Sequence, residues 1–238
     1  MTGSPSSQRV EDALRDAISS GRYAAGTKLP AERDLATELG VSRMTLRQAL
    51  ETLQFQGVLR RRPGRAGGTF VSGDVPVLEL GSLQGLFQQL SRTGAVVESR
   101  ILLAATFPAP EDVAEALRIP AGDPAHRLRR LRFLDGEPLM LEDSWFPAAR
   151  LPGFAVESLT GSVYARLQGL GWEPVRKTED LTPSAATPEE RELLSIGARH
   201  PVLRIIRTAY RSDGLPVEYA EDIHRSDSLR LRVTTGAT

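Results

Sequence analysis

The chain contains 238 residues, and its 30 basic and 30 acidic side chains give a formal net charge of zero at pH 7. This length predicts one or two domains, and the absence of cysteine excludes disulfides and cysteine-ligated metal sites. Because the sequence shows neither a signal peptide nor an apolar run near the roughly 20 residues that span a bilayer, we expect a cytoplasmic protein with no membrane partner.

The neutral total hides an asymmetry between the two parts of the chain. Residues 1–73 hold 11 Lys and Arg against 7 Asp and Glu, whereas residues 74–238 hold 19 against 23. A basic front part joined to an acidic remainder is typical of a DNA reader attached to a second module. We therefore predict a DNA-binding domain over 1–73, a linker with a helix over 74–96, and a second domain over 97–238.

Three helices are predicted in the front part, over 8–20, 31–39 and 43–56. Apolar residues recur at helical spacing in each, Ser42 is a good N-cap for the third helix, and Gly40 marks a tight turn between the second and third. Two short helices joined by such a turn are how a helix-turn-helix presents its second helix to the major groove of DNA. A helical hairpin with solvated arginines is the alternative interpretation.

The third helix presents a polar face opposite its apolar stripe. Arg43 and Arg47 lie four residues apart on that face, and a guanidinium matches the O6/N7 edge of guanine. Ser42 and Thr45 are better suited to phosphate oxygens. After this helix, two β-like runs in residues 58–71 flank a turn rich in Gly and Arg, which predicts a hairpin wing with Arg65 placed to enter a minor groove.

These segments together resemble the winged helix-turn-helix of the GntR family of bacterial regulators. The resemblance is carried by Leu-Pro-Ala-Glu-Arg-Asp-Leu-Ala at 29–36, Gly-Val-Ser-Arg at 40–43, Thr-Leu-Arg at 45–47 and Gly-Thr-Phe-Val at 68–71. It departs from the family in the wing, where Ala66 and Gly67 are additional. The resemblance implies a set of DNA contacts on the second helix, the third helix and the wing tip: Arg33, Ser42, Arg43, Thr45, Arg47, Gly64 and Arg65.

The remainder of the chain alternates β-like runs with short helical patterns, which predicts an α+β domain with a largely antiparallel sheet. Hairpin turns are predicted at Asp135–Gly136 and Asp213–Gly214. The β-like runs cover 97–107, 125–134, 138–146, 172–182, 201–212, 216–225 and 229–234, and the helical patterns cover 83–92, 111–117, 163–170 and 188–195.

Two arginines stand out in this part of the sequence. Strand alternation places Arg130 and Arg132 on one face, with Leu131 and Phe133 on the other. Two neighbouring guanidiniums repel each other unless an anion or a carboxylate lies between them. The residues alone leave two interpretations open, which are a solvated edge strand paired with surface Glu and an anion-binding pocket.

The segments at 130–138, 142, 147, 160–164 and 213–219 resemble the effector (UTRA) domain of the HutC subfamily of these regulators. That resemblance implies the chorismate lyase fold, a six-stranded antiparallel sheet flanked by helices. It also implies that Arg130, Arg132, Ser162 and Tyr164 hold a ligand phosphate in members that sense sugar phosphates. Other members sense acids such as urocanate. Glu142 and Glu218 would accept bonds from sugar hydroxyls or an amide, or would instead pair with the arginines.

The sequence therefore predicts a transcriptional regulator, expected to be a repressor. A homodimer would bind a double-stranded DNA operator, and a small anionic metabolite effector in the second domain would control it. Because the three histidines lack ligand spacing, no metal or other cofactor is predicted. Two alternatives remain, which are an effector-independent dimeric DNA-binding protein and a chorismate lyase-like enzyme fused to a DNA-binding domain. No activated nucleophile or metal set supports the enzyme.

Overall fold

The computed structural model describes residues 5–62, 67–73, 76–84, 89–90, 96–154 and 159–235. The chain divides into two compact units, the first comprising Met1–Val75 with Ser226–Leu229 and the second comprising Pro76–Arg225 with Arg230–Thr238. Among the described residues, no helix is long and apolar enough to cross a membrane.

The first unit is a winged helix-turn-helix. It contains α1 (Pro5–Ser19), α2 (Glu32–Glu38) and α3 (Arg43–Phe55), followed by the antiparallel hairpin of β1 (Leu59–Arg62) and β2 (Gly68–Val71). The three predicted helices and the predicted hairpin are confirmed, and α1 begins three residues earlier than its apolar spacing indicates.

The core of this unit is formed by the apolar stripes of the three helices and the first strand. Leu14, Leu35, Leu46, Leu53 and Leu59 are all fully buried in it. Within α3, Leu46 and Leu53 lie two helical turns apart on one face, so packing fixes which face of this helix stays exposed. The polar face of α3 is therefore turned to solvent.

The second unit is built on one antiparallel sheet of six strands in the order β4-β5-β6-β9-β8-β7. The predicted α+β fold with a six-stranded antiparallel sheet is confirmed. The strands are β4 (Val97–Pro108), β5 (Pro124–Leu134), β6 (Glu137–Pro147), β7 (Arg176–Ala185), β8 (Pro201–Tyr210) and β9 (Pro216–Arg225), and the helices are α4 (Glu111–Leu117), α5 (Val163–Gly169) and α6 (Pro188–Leu194).

Tight turns join β5 to β6 and β8 to β9, as predicted from the two Asp-Gly pairs. Asp135 and Gly136 have φ angles of 50° and 79°, the left-handed geometry that a two-residue hairpin turn requires. Because β5 lies between β4 and β6, the solvated edge-strand interpretation of Arg130 and Arg132 is wrong. Sheet order is a tertiary property that alternation within one strand cannot reveal.

Two further strands lie outside this sheet. β3 (Val77–Glu79) pairs in parallel with β10 (Arg230–Arg232). β3 falls in the segment predicted as a linker with a helix, and that predicted helix lies largely outside the described residues. β7 begins at Arg176 rather than at residue 172 because the preceding residues close α5. There the Trp172 N–H donates to the Leu167 carbonyl at 2.9 Å.

The two faces of the sheet are covered by different helices. On one face Leu131, Leu141 and Ile223 pack with Leu194 of α6. On the other face Leu128 and Phe146 form a core with the buried residues of α5. Strand alternation places Arg130 and Arg132 on the α5 face, beyond the end of that core. A polar cavity lies there.

Candidate functional site

The predicted DNA-reading arginines lie on the exposed surface of α2 and α3. Arg43 is exposed, and the side chains of Arg33 and Arg47 are 79% and 52% exposed. The Arg47 Nε donates to the Glu32 carboxylate at 2.8 Å, and this hydrogen bond raises the pKa of Arg47. Glu32 therefore fixes the direction in which the Arg47 guanidinium leaves α3.

Ser42 and Thr45 form a linked hydroxyl pair at the start of α3. The Ser42 Oγ accepts the Thr45 backbone N–H at 3.1 Å, which makes it the N-cap of the helix. The two hydroxyl oxygens are 2.8 Å apart, so one hydroxyl donates to the other. The hydroxyl that accepts this bond keeps its own hydrogen available for another acceptor. Gly64 and Arg65, the remaining predicted contacts, lie outside the described residues.

The second unit contains a cavity on the α5 face of its sheet. The cavity encloses about 770 Å³, including its opening to solvent, and its wall draws on β3, β5 to β9, α5 and β10. The structure places all six predicted effector residues in this wall: Arg130, Arg132, Glu142, Ser162, Tyr164 and Glu218.

Glu142 lies between the two strand arginines. One carboxylate oxygen accepts from Arg130 Nη2 at 2.5 Å, and the other accepts from Arg132 Nε at 3.0 Å. Burial alone would raise the pKa of Glu142, but the charges of Arg130 and Arg132 outweigh it and hold the pKa well below its usual range. Of the two roles left open by the sequence, the structure shows Glu142 as the partner of the arginines.

The same two arginines anchor the loop that leads into α5. Arg130 Nη1 donates to the carbonyls of Leu159 and Gly161 at 2.7 and 2.9 Å, and Arg132 Nη1 donates to the Thr160 carbonyl at 3.3 Å. Ser162 follows directly and caps α5, because its Oγ accepts a backbone N–H from the first turn at 3.2 Å. The arginines therefore both line the cavity and hold part of its wall.

A second charged cluster lies across the sheet, on β8 and β9. The Tyr164 hydroxyl donates to Glu218 Oε2 at 3.0 Å, and Arg207 Nε donates to the same oxygen at 3.2 Å. Arg207 Nη1 also donates to Asp222 Oδ2 at 2.6 Å. Burial and the Glu218 charge raise the pKa of Tyr164 well above its usual value, so this hydroxyl stays protonated and donates.

Five charged or titratable wall residues on β7, β8 and β9 were not predicted from the sequence: Lys177, Glu179, Arg207, Asp222 and His224. The signal that could have found two of them is alternation, since Asp222 and His224 share one face of β9 with the predicted Glu218. Arg207 could not be placed without the sheet order, because its contacts come from the neighbouring strand.

Four of the cavity's buried polar atoms have no hydrogen-bond partner among the described residues. They are Nε of Arg130, Oε1 of Glu218, Oδ1 of Asp222 and Nδ1 of His224, and all four side chains are less than 5% exposed. Buried polar groups in native proteins are almost always paired. Four such atoms in one cavity therefore indicate a place where a ligand supplies the missing partners.

Burial also perturbs the titration of the two β9 residues. It raises the pKa of Asp222 to about 7, an effect that Arg207 opposes and that Glu142 and Glu218 reinforce. It lowers the pKa of His224 to about 4, with Arg207 acting in the same direction. At neutral pH His224 is uncharged. Among the described residues, no group of His, Cys, Asp and Glu is arranged to hold a metal ion.

Comparison with known protein families decides the identity of both units. Residues 6–71 match "Bacterial regulatory proteins, gntR family", and residues 92–230 match the UTRA domain. The chain belongs to the GntR family of bacterial regulators. The predicted resemblance is therefore confirmed, and this GntR-family chain is a transcriptional regulator whose UTRA domain supplies most of the cavity wall.

Individual relatives of this GntR-family chain cover nearly its whole length. The transcriptional repressor NagR of Bacillus subtilis (strain 168) is 33% identical over 92% of this chain and 90% of its own. The mannosyl-D-glycerate transport/metabolism system repressor MngR of Escherichia coli (strain K12) is 28% identical over 95% and 94%. The crystal structure of PhnF from Mycobacterium smegmatis superposes with a TM-score of 0.68 at 26% identity and covers 96% of this chain and 100% of PhnF.

Proposed function

We propose that this regulator is a bacterial cytoplasmic repressor whose affinity for its operator is set by a small sugar-derived effector with an anionic group. The observation that carries the proposal is the polar cavity with its four buried, unpartnered atoms. Leaving such groups unpaired costs about 1–3 kcal/mol each. A bound compound that pairs them recovers that free energy, so the cavity is suited to a polar ligand.

The anionic group of the effector is assigned to the end of the cavity where Arg130 and Arg132 lie. These two guanidiniums face the one negative charge of Glu142, so an excess positive charge remains. Ser162 adds a hydroxyl at the start of α5, next to the loop that these arginines hold, whereas the Tyr164 hydroxyl donates to Glu218. Charge-assisted bonds from such groups suit a phosphate or a carboxylate. The relative MngR, a repressor named for a mannosyl-D-glycerate transport/metabolism system, supports a sugar-derived compound.

The first unit is proposed to bind the operator through the exposed residues of its second and third helices and through the wing. A homodimer would place two such units on half-sites about 10 bp apart. The effector must bind the DNA-competent and DNA-released states with different affinities, since otherwise it would shift neither population. The proposed contacts are Arg33, Ser42, Arg43, Thr45 and Arg47, with Gly64 and Arg65 at the wing tip.

The test starts from the full chain and a library of random DNA duplexes at about 150 mM salt. Selection should enrich a sequence that contains two related half-sites, and sedimentation should show two chains on each duplex. Hexose phosphates and sugar acids are then added while fluorescence anisotropy reports DNA binding. We expect at least one compound to change the affinity for the duplex several-fold.

Variants assign the response to the cavity. Arg130→Ala and the milder Tyr164→Phe should lose the response to the compound and retain DNA binding. Arg100→Ala, which removes an exposed arginine of the neighbouring strand β4, is the matched control and should keep both. The proposal fails if no duplex is preferred over random competitor, or if no compound in the panel alters binding.

A further inference from the structure

The charges along the cavity are unevenly distributed. At the β5 and β6 end, Arg130 and Arg132 face Glu142, which leaves one unbalanced positive charge. At the rim, Glu79 and Arg232 lie 3.6 Å apart and balance each other. The β5 and β6 end is therefore electropositive at neutral pH.

The opposite end of the cavity, on β7 to β9, has an excess of negative charge. Three carboxylates, from Glu179, Glu218 and Asp222, face only the two cations Arg207 and Lys177 among the described cavity residues. His224 adds no charge at neutral pH because burial lowers its pKa to about 4. The β7 to β9 end is therefore electronegative when Asp222 is ionised. The cavity is a dipole with its positive end on β5 and β6.

At the electronegative end, two of the three unpartnered atoms are carboxylate oxygens, and the third is Nδ1 of His224. Arg207 already donates to Oε2 of Glu218 and Oδ2 of Asp222, so the two carboxylates converge on one guanidinium. Their other oxygens, Oε1 and Oδ1, have no donor among the described residues. An ionised carboxylate only accepts hydrogen bonds. When Asp222 is ionised, both atoms require donors, and an ammonium group supplies three donors together with the missing positive charge.

The register of the sheet sets the distance between the two ends. Arg130 pairs with Glu142, and Glu142 pairs with Asp222, on three adjacent strands. Their backbones therefore span two strand spacings, about 10 Å. Because the side chains at both ends extend into the same cavity, a compound of about the size of a hexose reaches both.

We propose, on the basis of the function proposed above, that the effector is zwitterionic: its anionic group lies at Arg130 and Arg132, and its ammonium group lies between Glu218 and Asp222. With a purely anionic sugar, the free oxygens of Glu218 and Asp222 would accept hydrogen bonds from sugar hydroxyls only. Hydroxyls supply donors but not the positive charge that this end of the cavity lacks. A purely cationic compound would leave the arginine end unbalanced.

The titration of Asp222 supports this assignment. Its carboxyl is faced by Glu142 on β6, Arg207 on β8, and Glu218 and His224 on its own strand, with Tyr164 of α5 and the Lys177–Glu179 pair of β7 nearby. Because its pKa is about 7, part of the unliganded population carries the proton at pH 7. An ammonium group beside Asp222 favours the ionised form, so its binding should release protons.

The test measures binding of two matched pairs of probes to the full chain by calorimetry at pH 7. D-Glucosamine 6-phosphate is compared with D-glucose 6-phosphate, and 6-amino-6-deoxy-D-gluconate, whose amine lies at the opposite end of the molecule from its carboxylate, is compared with D-gluconate. The members of each pair differ only in amine against hydroxyl, and the pairs distinguish a phosphate from a carboxylate anion. In at least one pair the amine should bind about tenfold more tightly or better, with proton release detected in buffers of different ionisation enthalpy.

A variant of Asp222 tests where the amine of the bound probe lies in the cavity. Asp222→Asn should reduce the preference for the amine to less than about threefold and abolish the proton release. Glu221→Gln is the matched control, because Glu221 lies beside Asp222 on the opposite face of β9 and pairs with Arg204. It should leave the preference unchanged. Thermal melting checks that both variants are folded.

The inference is overturned if each amine binds no more tightly than its hydroxyl partner, or if Asp222→Asn keeps the preference. It is also overturned if neither amine binds. In that case the proposed function survives if another hexose phosphate or sugar acid alters operator binding, and it fails as well if none does.

Discussion

Replacing Glu142 with Gln tests how the wall of the cavity is held together. The carboxylate of Glu142 bonds to Arg130 and Arg132 at 2.5 and 3.0 Å, and all three side chains are buried. The amide is nearly the same size but carries no charge, and its NH₂ group would face a guanidinium. Removing one partner of a buried ion pair costs about 3–5 kcal/mol. The melting temperature should therefore fall by about 6–20 °C for a unit of this size.

The pH dependence of the same variant provides an independent check. Because the folded pKa of Glu142 lies well below its unfolded value, its stabilising effect is fully present above about pH 4.5 and is lost as the pH falls. Gln does not titrate. The difference in unfolding free energy between the wild type and Glu142→Gln, measured by urea denaturation, should therefore shrink as the pH falls from about 5 to 3.

Asp143→Asn is the matched control for this experiment. Asp143 is the next residue of β6, and it pairs with Arg127 at 2.6 Å on the opposite, more exposed face of the sheet. Partly exposed pairs contribute about 1 kcal/mol or less. If Glu142→Gln lowers the stability no more than Asp143→Asn does, the two buried arginines do not depend on Glu142 and the reasoning is refuted.

Three further predictions concern the DNA-reading helix, the titration of the cavity and the cap of α5. Arg47→Ala should weaken specific DNA binding by about 1–3 kcal/mol. Glu32→Gln should cause a smaller loss, because it frees the Arg47 guanidinium. If Glu32→Gln and the wild type give equal anisotropy titrations with DNA, Glu32 does not orient Arg47 for binding. The raised pKa of Asp222 lowers stability as the pH rises from about 4 to 7, whereas the lowered pKa of His224 lowers it as the pH falls from about 6.5 to 4. Urea denaturation should therefore show that Asp222→Asn gains stability relative to the wild type as the pH rises, and that His224→Gln gains stability relative to the wild type as the pH falls. If the unfolding free energies of the variants and the wild type change in parallel with pH, neither group titrates as described. Ser162→Ala should lower the unfolding free energy of the unliganded protein by about 1 kcal/mol, with Ser162→Asn close to the wild type; a fully stable alanine variant would mean that the cap contributes nothing.

The helices of the first unit could be predicted because each carries its own signals. Ser42 caps α3, Gly40 closes the turn before it, and the apolar stripe of each helix is complete within a short segment. β3 carries no such signal, since it has three residues and its partner β10 lies about 150 positions away. Its formation depends on tertiary structure, which a local pattern cannot encode.

The candidate site could be predicted only in part for a similar reason. Arg130 and Arg132 stand out because two charges recur on one face of an otherwise apolar run. Asp222 and His224 share a face of β9 with Glu218. Which face of β9 lines the cavity depends on where α5 packs against the sheet, and the sequence of β9 does not reveal that. The neighbouring acid Glu221 lies on the other face of β9, so the presence of a carboxylate does not by itself show which face of the strand lines the cavity.

The strand by which the chain enters its second unit is itself part of the cavity wall. Leu78, Glu79 and Leu80 all line the cavity, and β10, close to the end of the chain, holds them in place. A molecule that occupies the cavity therefore contacts the first strand of the second unit. A chain shortened before Arg230 would lack β10, and β3 would lose the strand that holds it in the cavity wall.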